Sequence, residues 1–422
     1  MTELPDGWTL ESLSDVASWG SGGTPQAGHA AFYGGGIPWA VIGDLNEATV
    51  VETRASITDA GLAASSAKLV PAGAVLLAMY GSIGKLGIAG RPMATNQAIA
   101  FALPNERVLR KYLFYYLMSQ RHQLDAAGKG ATQRNISQTV LRPWPILLPE
   151  TLDEQQRIVN ILEDHLSRLD ATDVSFVAVL AKMNALRDAI IHSALFADQA
   201  GEAEQRSQVT VGAVADVDSG PAFKSSLFGG PGEGTRLLRG DNIEPGSLRW
   251  GRTKSWPDSQ LVGFEHLLVA DGDIILAMDR PVVTAGLKLA RVTGADMPAL
   301  LVQRVARIRP RNTVVDDFLY QILSSRQFVH ELLGNQVGTQ IPHITLEAIR
   351  KFPFLLPKPA VQIAIANQVR AHIDSTERVE HDVTLASTRS LSLRRSLLAA
   401  AFSGRLTGRS SDMEMVEEMA GV

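Results

Sequence analysis

The chain matches itself, and that constrains its fold more than any other feature. At an offset of about 200 residues the sequence aligns with itself in six places, all in the same order. Leu13–Gly22 (LSDVASWGSG) resembles Val211–Gly220 (VGAVADVDSG), and Gly43-Asp44 resembles Gly240-Asp241. VPAGAVLLAM from Val70 matches VADGDIILAM from Val269, and LFYYLMSQR from Leu113 matches FLYQILSSR from Phe318. TQRNIS from Thr132 matches TQIPHIT from Thr339, and LRPWPILLP from Leu141 matches IRKFPFLLP from Ile349. A chain repeated in this way folds as two related units with a pseudo-twofold axis.

Each repeat closes on a Pro-flanked strand, and then both breakers disappear. Thr151 to Ala200 and Ala360 to Ser403 contain neither Gly nor Pro and are rich in helix formers, which predicts two long helices of about 60 to 70 Å. In the first, Leu162, Leu169, Phe176, Met183 and Ile190 recur every seventh residue, with Ile158, His165, Thr172, Val179 and Leu186 as the companion row. In the second, Ile365, His372, Val379, Ala386 and Leu393 keep the period beside Val369, Thr376, Val383, Ser390 and Leu397. Such stripes are buried when the helices pair, so an antiparallel coiled coil with a head at each end is expected. His165 and His372 fall at equivalent places and read as polar, register-setting contacts rather than a metal pair.

Before each helix, short apolar strands, Gly/Pro turns and one amphipathic helix predict an α/β or α+β head. The expected organisation is a head at 1–150, a central helix at 151–200, a second head at 201–357, a distal helix at 358–408 and a flexible acidic tail at 409–422. The start, MTELPDGWTLESL, lacks the basic and apolar regions of a signal peptide, and no run reaches the roughly 18 residues a bilayer needs. A cytoplasmic protein without membrane contact is expected. With no cysteine, disulfides, zinc fingers, iron–sulfur clusters and thiol nucleophiles are excluded, and the nine histidines show no metal-ligand spacing. No metal or cofactor is expected on this chain.

Net charge is −4, and both heads are neutral: 11 basic and 11 acidic residues in 1–150, 17 and 17 in 201–357. The acidic excess lies in 151–200, which holds 4 basic and 8 acidic residues. Bulk charge therefore does not announce a nucleic acid. The geometry does, because two similar, unequal heads on a rigid spacer suit a split, asymmetric DNA site.

Several segments together carry a family resemblance: LPDGWTLESLSDVASWGSGGTP, GAVLLAMYGSIGKLG, TNQAIA, GATQRNIS, LRPWPILLP followed by EQQRIV, and RRSLLAAAFSGRLT near the end. Over residues 5–408 the chain resembles the DNA specificity (S) subunits of type I restriction-modification systems. The resemblance implies two target-recognition domains that each read half of a bipartite double-stranded DNA site. It implies helices that bind two methyltransferase (M) subunits, and restriction (R) subunits that join the same complex. S-adenosylmethionine and the target adenine would belong to M, ATP, Mg and cleavage to R, and no catalytic residue to this chain. The sequence is consistent with that division: no Asn/Asp-Pro-Pro-aromatic tetrapeptide holds a flipped adenine. GSIGKL is not a phosphate loop either, since Met79 and Leu86 stand where that motif needs Gly and Ser or Thr.

Candidate DNA contacts fall on two loops per head. Tyr80, Gly81, Ser82, Gly84 and Lys85 follow a buried strand, and Gly81, Gly84 and Gly87 suit either backbone approach to a phosphate or a plain hairpin turn. Asp279, Arg280 and Lys288 take the equivalent place without those glycines, and Arg280 suits either a guanine edge or a pair with Asp279. Thr132, Gln133, Arg134, Asn135 and Ser137, matched by Thr339, Gln340, His343 and Thr345, supply base-edge and phosphate donors or else cap the next element. Asn96-Gln97 and Gln303-Arg304 read as backbone-positioning residues. The partner-binding coiled coil is assigned to Ile158, Leu162, Leu169, Phe176, Met183, Ile190, Ile365, Val369, Val379, Leu393 and Leu397. Two other readings compete: a coiled-coil adaptor whose heads bind protein, and a lone nuclease or methyltransferase, for which no motif is present.

Overall fold

The computed structural model describes residues 4–130, 134–196, 206–251, 253–284, 286–334, 343–406 and 411–421. They form two compact units, Met1–Val177 with Val383–Val422, and Ala178–Asp382. Both long helices, Leu152–Phe196 and Pro359–Ala401, contribute to each unit. No described helix is long and apolar enough to cross a membrane.

In the first unit, Trp8–Ser12 pairs antiparallel with Pro145–Pro149, so the ends of the head are joined. Its main sheet runs Ala17–Ser21, Ile99–Pro104, Val75–Ala78, Leu86–Ala89, Thr49–Val50. Val75–Ala78 is buried at every residue because both faces of this sheet are covered. Val75 and Leu77 pack with Tyr112 and Leu113 of the helix Arg110–Ser119, while Leu76 and Ala78 pack with Leu45, Val50 and Phe101 on the other face. A second sheet is ordered Ala55–Ile57, Tyr33–Ala40, Met93–Thr95, Leu69–Val70.

The second unit repeats this wiring. Ser207–Thr210 pairs with Pro353–Leu356, and the main sheet runs Ala215–Ser219, Val305–Pro310, Ile274–Ala277, Leu289–Arg291. The smaller sheets share a parallel ladder, Trp39 opposite Ala94 in one and Arg236 opposite Ala299 in the other. One cross-strand pair differs in chemistry. Gly20 lies opposite Phe101, whose ring stands 2.3 Å from where a Cβ would be. The matching partners in the second unit are Asp218 and Arg307, which form an ion pair at 2.6 Å with the arginine side chain 6 % exposed. An apolar ring needs the room that glycine leaves, whereas a buried guanidinium needs a carboxylate.

The helices run antiparallel within each unit. In the first, Arg157 near the start of one helix donates to the Leu406 carbonyl beyond the end of the other, and Arg394 reaches Asp170 at 2.7 Å and Asp173 at 2.9 Å. In the second, Arg187 stands 3.7 Å from Glu380, and Ala194 and Leu195 share a core with Ile365 and Val369. On the second helix Ile365, Val369, Thr376, Val383, Ser390 and Leu397 are buried and His372, Val379, Ala386 and Leu393 half-buried. On the first, Leu162 is buried and Leu169, Phe176, Met183 and Ile190 are half-buried.

The companion row expected on the first helix is corrected. Ile158 is buried and His165 half-buried, but Thr172 is exposed, and so are Val179 and Leu186, at 42 % and 60 %. The second row that faces inward lies one residue after the expected companion row: Leu166, Asp173, Leu180, Arg187 and Ala194. Asp173 and Arg187 form ion pairs with the opposite helix, so a search for apolar residues passes over them. The flexible acidic tail is corrected too. Ser411–Ala420 is a helix with Val416 fully buried and Asp412 4 % exposed, and Ser392 Oγ donates to the Ala420 carbonyl at 3.0 Å. Met413, Val416 and Ala420 fall on one side at helical spacing while Glu414, Glu417 and Glu418 face outward, a pattern that acidic composition conceals.

A buried glutamine joins each head to its following helix. Gln155 accepts from the Leu109 amide at 2.9 Å and donates to the carbonyls of Arg107 at 2.9 Å and Pro149 at 3.2 Å. Gln362 accepts from the Val315 amide at 2.7 Å and donates to the Pro357 carbonyl at 2.7 Å. Both are fully buried. Truncation leaves buried backbone groups without partners, so Gln155→Ala and Gln362→Ala should each cost about 2 to 3 kcal/mol in urea unfolding. A loss below about 0.5 kcal/mol for both would remove their structural role.

Candidate nucleic-acid interface

Strand ends bring the two candidate loops of each head together. The Ile136 amide donates to the Met79 carbonyl at 2.9 Å, and Tyr80 bridges Asn135. The Ile344 amide donates to the Met278 carbonyl at 2.8 Å, and Asp279 bridges His343. Tyr80, Gly81, Ser82, Gly84 and Lys85 thus stand beside Arg134, Asn135 and Ser137, and Asp279, Arg280 and Lys288 beside His343 and Thr345. Thr132, Gln133, Thr339 and Gln340 lie outside the described residues.

In the first head the Gly-rich segment is a tight hairpin between Val75–Ala78 and Leu86–Ala89. Gly81 and Gly84 take left-handed φ of 66° and 78°. The amides of Ser82, Gly84 and Lys85 donate to the carbonyls of Tyr80, Ala78 and Ser82, so these three are engaged within the turn rather than turned towards a phosphate. What the turn offers a ligand is the half-buried Lys85 and the exposed Ser82. Behind it Arg121 donates to the Gly84 carbonyl at 3.0 Å and pairs with Glu47. Across from it Lys129 and Asn135 exchange backbone hydrogen bonds, both 2.9 Å. Arg134 is exposed, 3.4 Å from Asp125.

The second head has four more residues in its hairpin: Leu276 pairs with Leu289 where Leu77 pairs with Leu86. A cleft of roughly 530 Å³ opens beside it, lined by Phe223, Phe228, Arg239, Asp241, Asp279, Arg280, Lys288 and Arg304 among others. Four cations against two carboxylates give it a local positive character that a neutral domain charge hides. Asp279 Oδ2 accepts from Arg304 at 2.5 Å and Oδ1 lies 2.6 Å from His343 Nδ1. Burial opposes ionisation of Asp279, but these hydrogen bonds and the charges behind them outweigh it and hold the carboxyl below its ordinary range. The partner of Asp279 is therefore Arg304, not Arg280. Lys288 donates to the Gly240 carbonyl.

The capping alternative describes Thr345, whose side chain accepts from the Ala348 amide at 3.1 Å at the start of Leu346–Lys351. Ser137 begins Gln138–Leu141 without such a bond, and its hydroxyl meets Thr139 at 2.6 Å. Sequence reading left Phe223, Phe228 and Arg239 out and assigned Arg304 to backbone positioning; only the Gly-Asp match at 240–241 signalled that this strand end belonged to the site. Thr345→Ala should destabilise the second unit by about 1 kcal/mol through loss of the cap, measured by urea unfolding; an unchanged midpoint would show that the cap contributes nothing.

Against known proteins, residues 5–173 match the family described as type I restriction modification DNA specificity domain. The MjaVIII specificity subunit of Methanocaldococcus jannaschii is 28 % identical over 307 residues, covering 70 % of this chain and 71 % of that protein. A chain from a structural study of complex assembly and conformational transition of the type I R-M system aligns at TM-score 0.78 and 16 % identity, over 96 % of this chain and all of the other (100 %). The HsdS subunit of Thermoanaerobacter tengcongensis aligns at TM-score 0.60 and 16 % identity, over 96 % and 98 % of the two chains. The repeated heads and the paired long helices agree with these similarities: residues 5–173 match the DNA specificity domain of type I restriction-modification systems, and over most of its length the chain is similar to a specificity subunit and shares the fold of an HsdS subunit.

Proposed function

We propose that this chain is the non-catalytic, sequence-reading subunit of a type I restriction-modification complex. Its two heads read the unequal halves of one asymmetric double-stranded DNA site. The observation that carries this reading is the repeated pairing of two polar loops at the same strand ends in both heads, Met79 with Ile136 and Met278 with Ile344. Two such surfaces that differ in sequence suit two half-sites that differ in bases. The relatives are named as specificity subunits, which favours DNA reading over a protein adaptor.

On this reading the paired helices hold two M subunits, and R subunits join the assembled complex in the cytoplasm. S-adenosylmethionine and adenine-N6 transfer belong to M, ATP, Mg and cleavage to R, and this chain supplies neither cofactor nor reacting group. Lys85 serves as a phosphate contact beside the first half-site. Lys85→Ala should then weaken binding of the M–S complex to cognate and unrelated duplexes alike and lower the salt slope by about one. A loss confined to one sequence would assign Lys85 to base reading instead.

Methylation mapping tests the proposal as a whole. A host expressing this chain with its M partner should carry N6-methyladenine at one asymmetric split motif that is absent with M alone. If the M–S complex assembles and no motif depends on this chain, DNA specificity is abandoned and the adaptor reading takes its place.

A further inference from the structure

We infer that Arg280 is a specificity-determining residue of the second head, reading a guanine in its half-site; the inference rests on the DNA-reading function proposed above. The two heads hold the same backbone at this point. Met79 and Met278 donate to the carbonyls of Ala98 at 2.8 Å and Arg304 at 3.0 Å, and accept from Ile136 and Ile344. Two residues on, the chain is left-handed in both, with φ 66° at Gly81 and φ 45° at Arg280. Glycine adopts that conformation freely, whereas a residue with a Cβ does so at a cost. The first head meets the requirement with no side chain, and the second meets it with a long cation. A strained residue on the rim of a cleft points to a function for its side chain.

The surrounding charges single out the same residue. Arg304 is bound to Asp279, Arg239 lies 3.3 Å from Asp241, and Lys288 donates to the Gly240 carbonyl. Asp279 is engaged through both oxygens, by Arg304 and His343, and among the described residues the carboxylate next in sequence forms no pair with Arg280. Arg280 is exposed, lines the cleft and makes no ion pair or hydrogen bond among the described residues. Asp279 acts as a positioning residue, tying the hairpin to the strand at Arg304 and to the loop at His343. The planar fork of Arg280 then remains for a ligand, and a fork of donors fits the O6 and N7 acceptors of guanine in the major groove.

The test uses the M–S complex and duplexes carrying the motif found by methylation mapping, with each base pair of both half-sites replaced in turn. For the unaltered complex, replacing one G·C pair of the second half-site should weaken binding about tenfold or more. With Arg280→Ala and with Arg280→Lys, that replacement should change affinity less than about threefold, while every position of the first half-site keeps its discrimination. Lysine retains the charge and loses the fork, so Arg280→Lys separates base reading from phosphate contact. The inference is overturned if Arg280→Lys keeps full discrimination, if Arg280→Ala weakens all duplexes evenly, or if both half-sites lose discrimination together. If the unaltered complex discriminates at no position, the parent reading fails instead.

Discussion

Everything the two heads present depends on how each is fixed to its helix, and that is done by one buried amide per repeat. Gln155 and Gln362 stand in the first turns of the long helices and join three segments: the Pro-flanked strand, the loop before the head's helix, and the long helix itself. A side-chain amide suits this place because it donates and accepts at once without a charge to desolvate. The apolar packing of Ile158, Val159 and Leu162 in one unit, and of Ile365 and Val369 in the other, then continues from a fixed starting point. A head hinged loosely at this junction would not hold its loops at a fixed distance from its helices.

The repeat preserves this framework and varies what sits on it. Strand order, the closing ladder, the parallel contact of the smaller sheet and the meeting of two loops recur in both units. The chemistry at matched positions does not recur. Gly20 and Phe101 become Asp218 and Arg307, and Gly81 becomes Arg280. The tight turn of the first head becomes a longer hairpin beside a cleft in the second. Such a division lets two surfaces diverge without disturbing the cores beneath them.

Much of the framework was legible in the sequence because it is periodic. The Gly- and Pro-free stretches mark the long helices, and alternate burial of Val75 to Ala78 on two faces explains an unbroken apolar run. Periodicity misled where polar residues do structural work. Asp173 and Arg187 take seam positions through ion pairs with the opposite helix, so the companion row was placed at Thr172, Val179 and Leu186 instead. The helix Ser411–Ala420 was hidden by its glutamates, although Val416 is wholly buried. Of the site, the sequence named both loops of each head, and Asp279 and Arg280 among them, but left open whether these two pair with each other, while Arg304, the partner of Asp279, was read as a backbone-positioning residue.

The sequence by itself determined the repeat, the class of the heads, the two long helices and the absence of any thiol chemistry, since each follows from spacing or from residue types present or missing. Only the tertiary structure decided which side chains meet. Asp279 could pair with Arg280 or Arg304 as far as order along the chain shows, and the choice falls to Arg304 because the strand Val305–Pro310 brings it to the hairpin. The meeting of residues 80 and 135, or 279 and 343, is likewise a property of the sheet edge rather than of local sequence. Local order fixes backbone preference and periodicity, while the partner of a charged side chain is set by contacts between segments far apart in the chain.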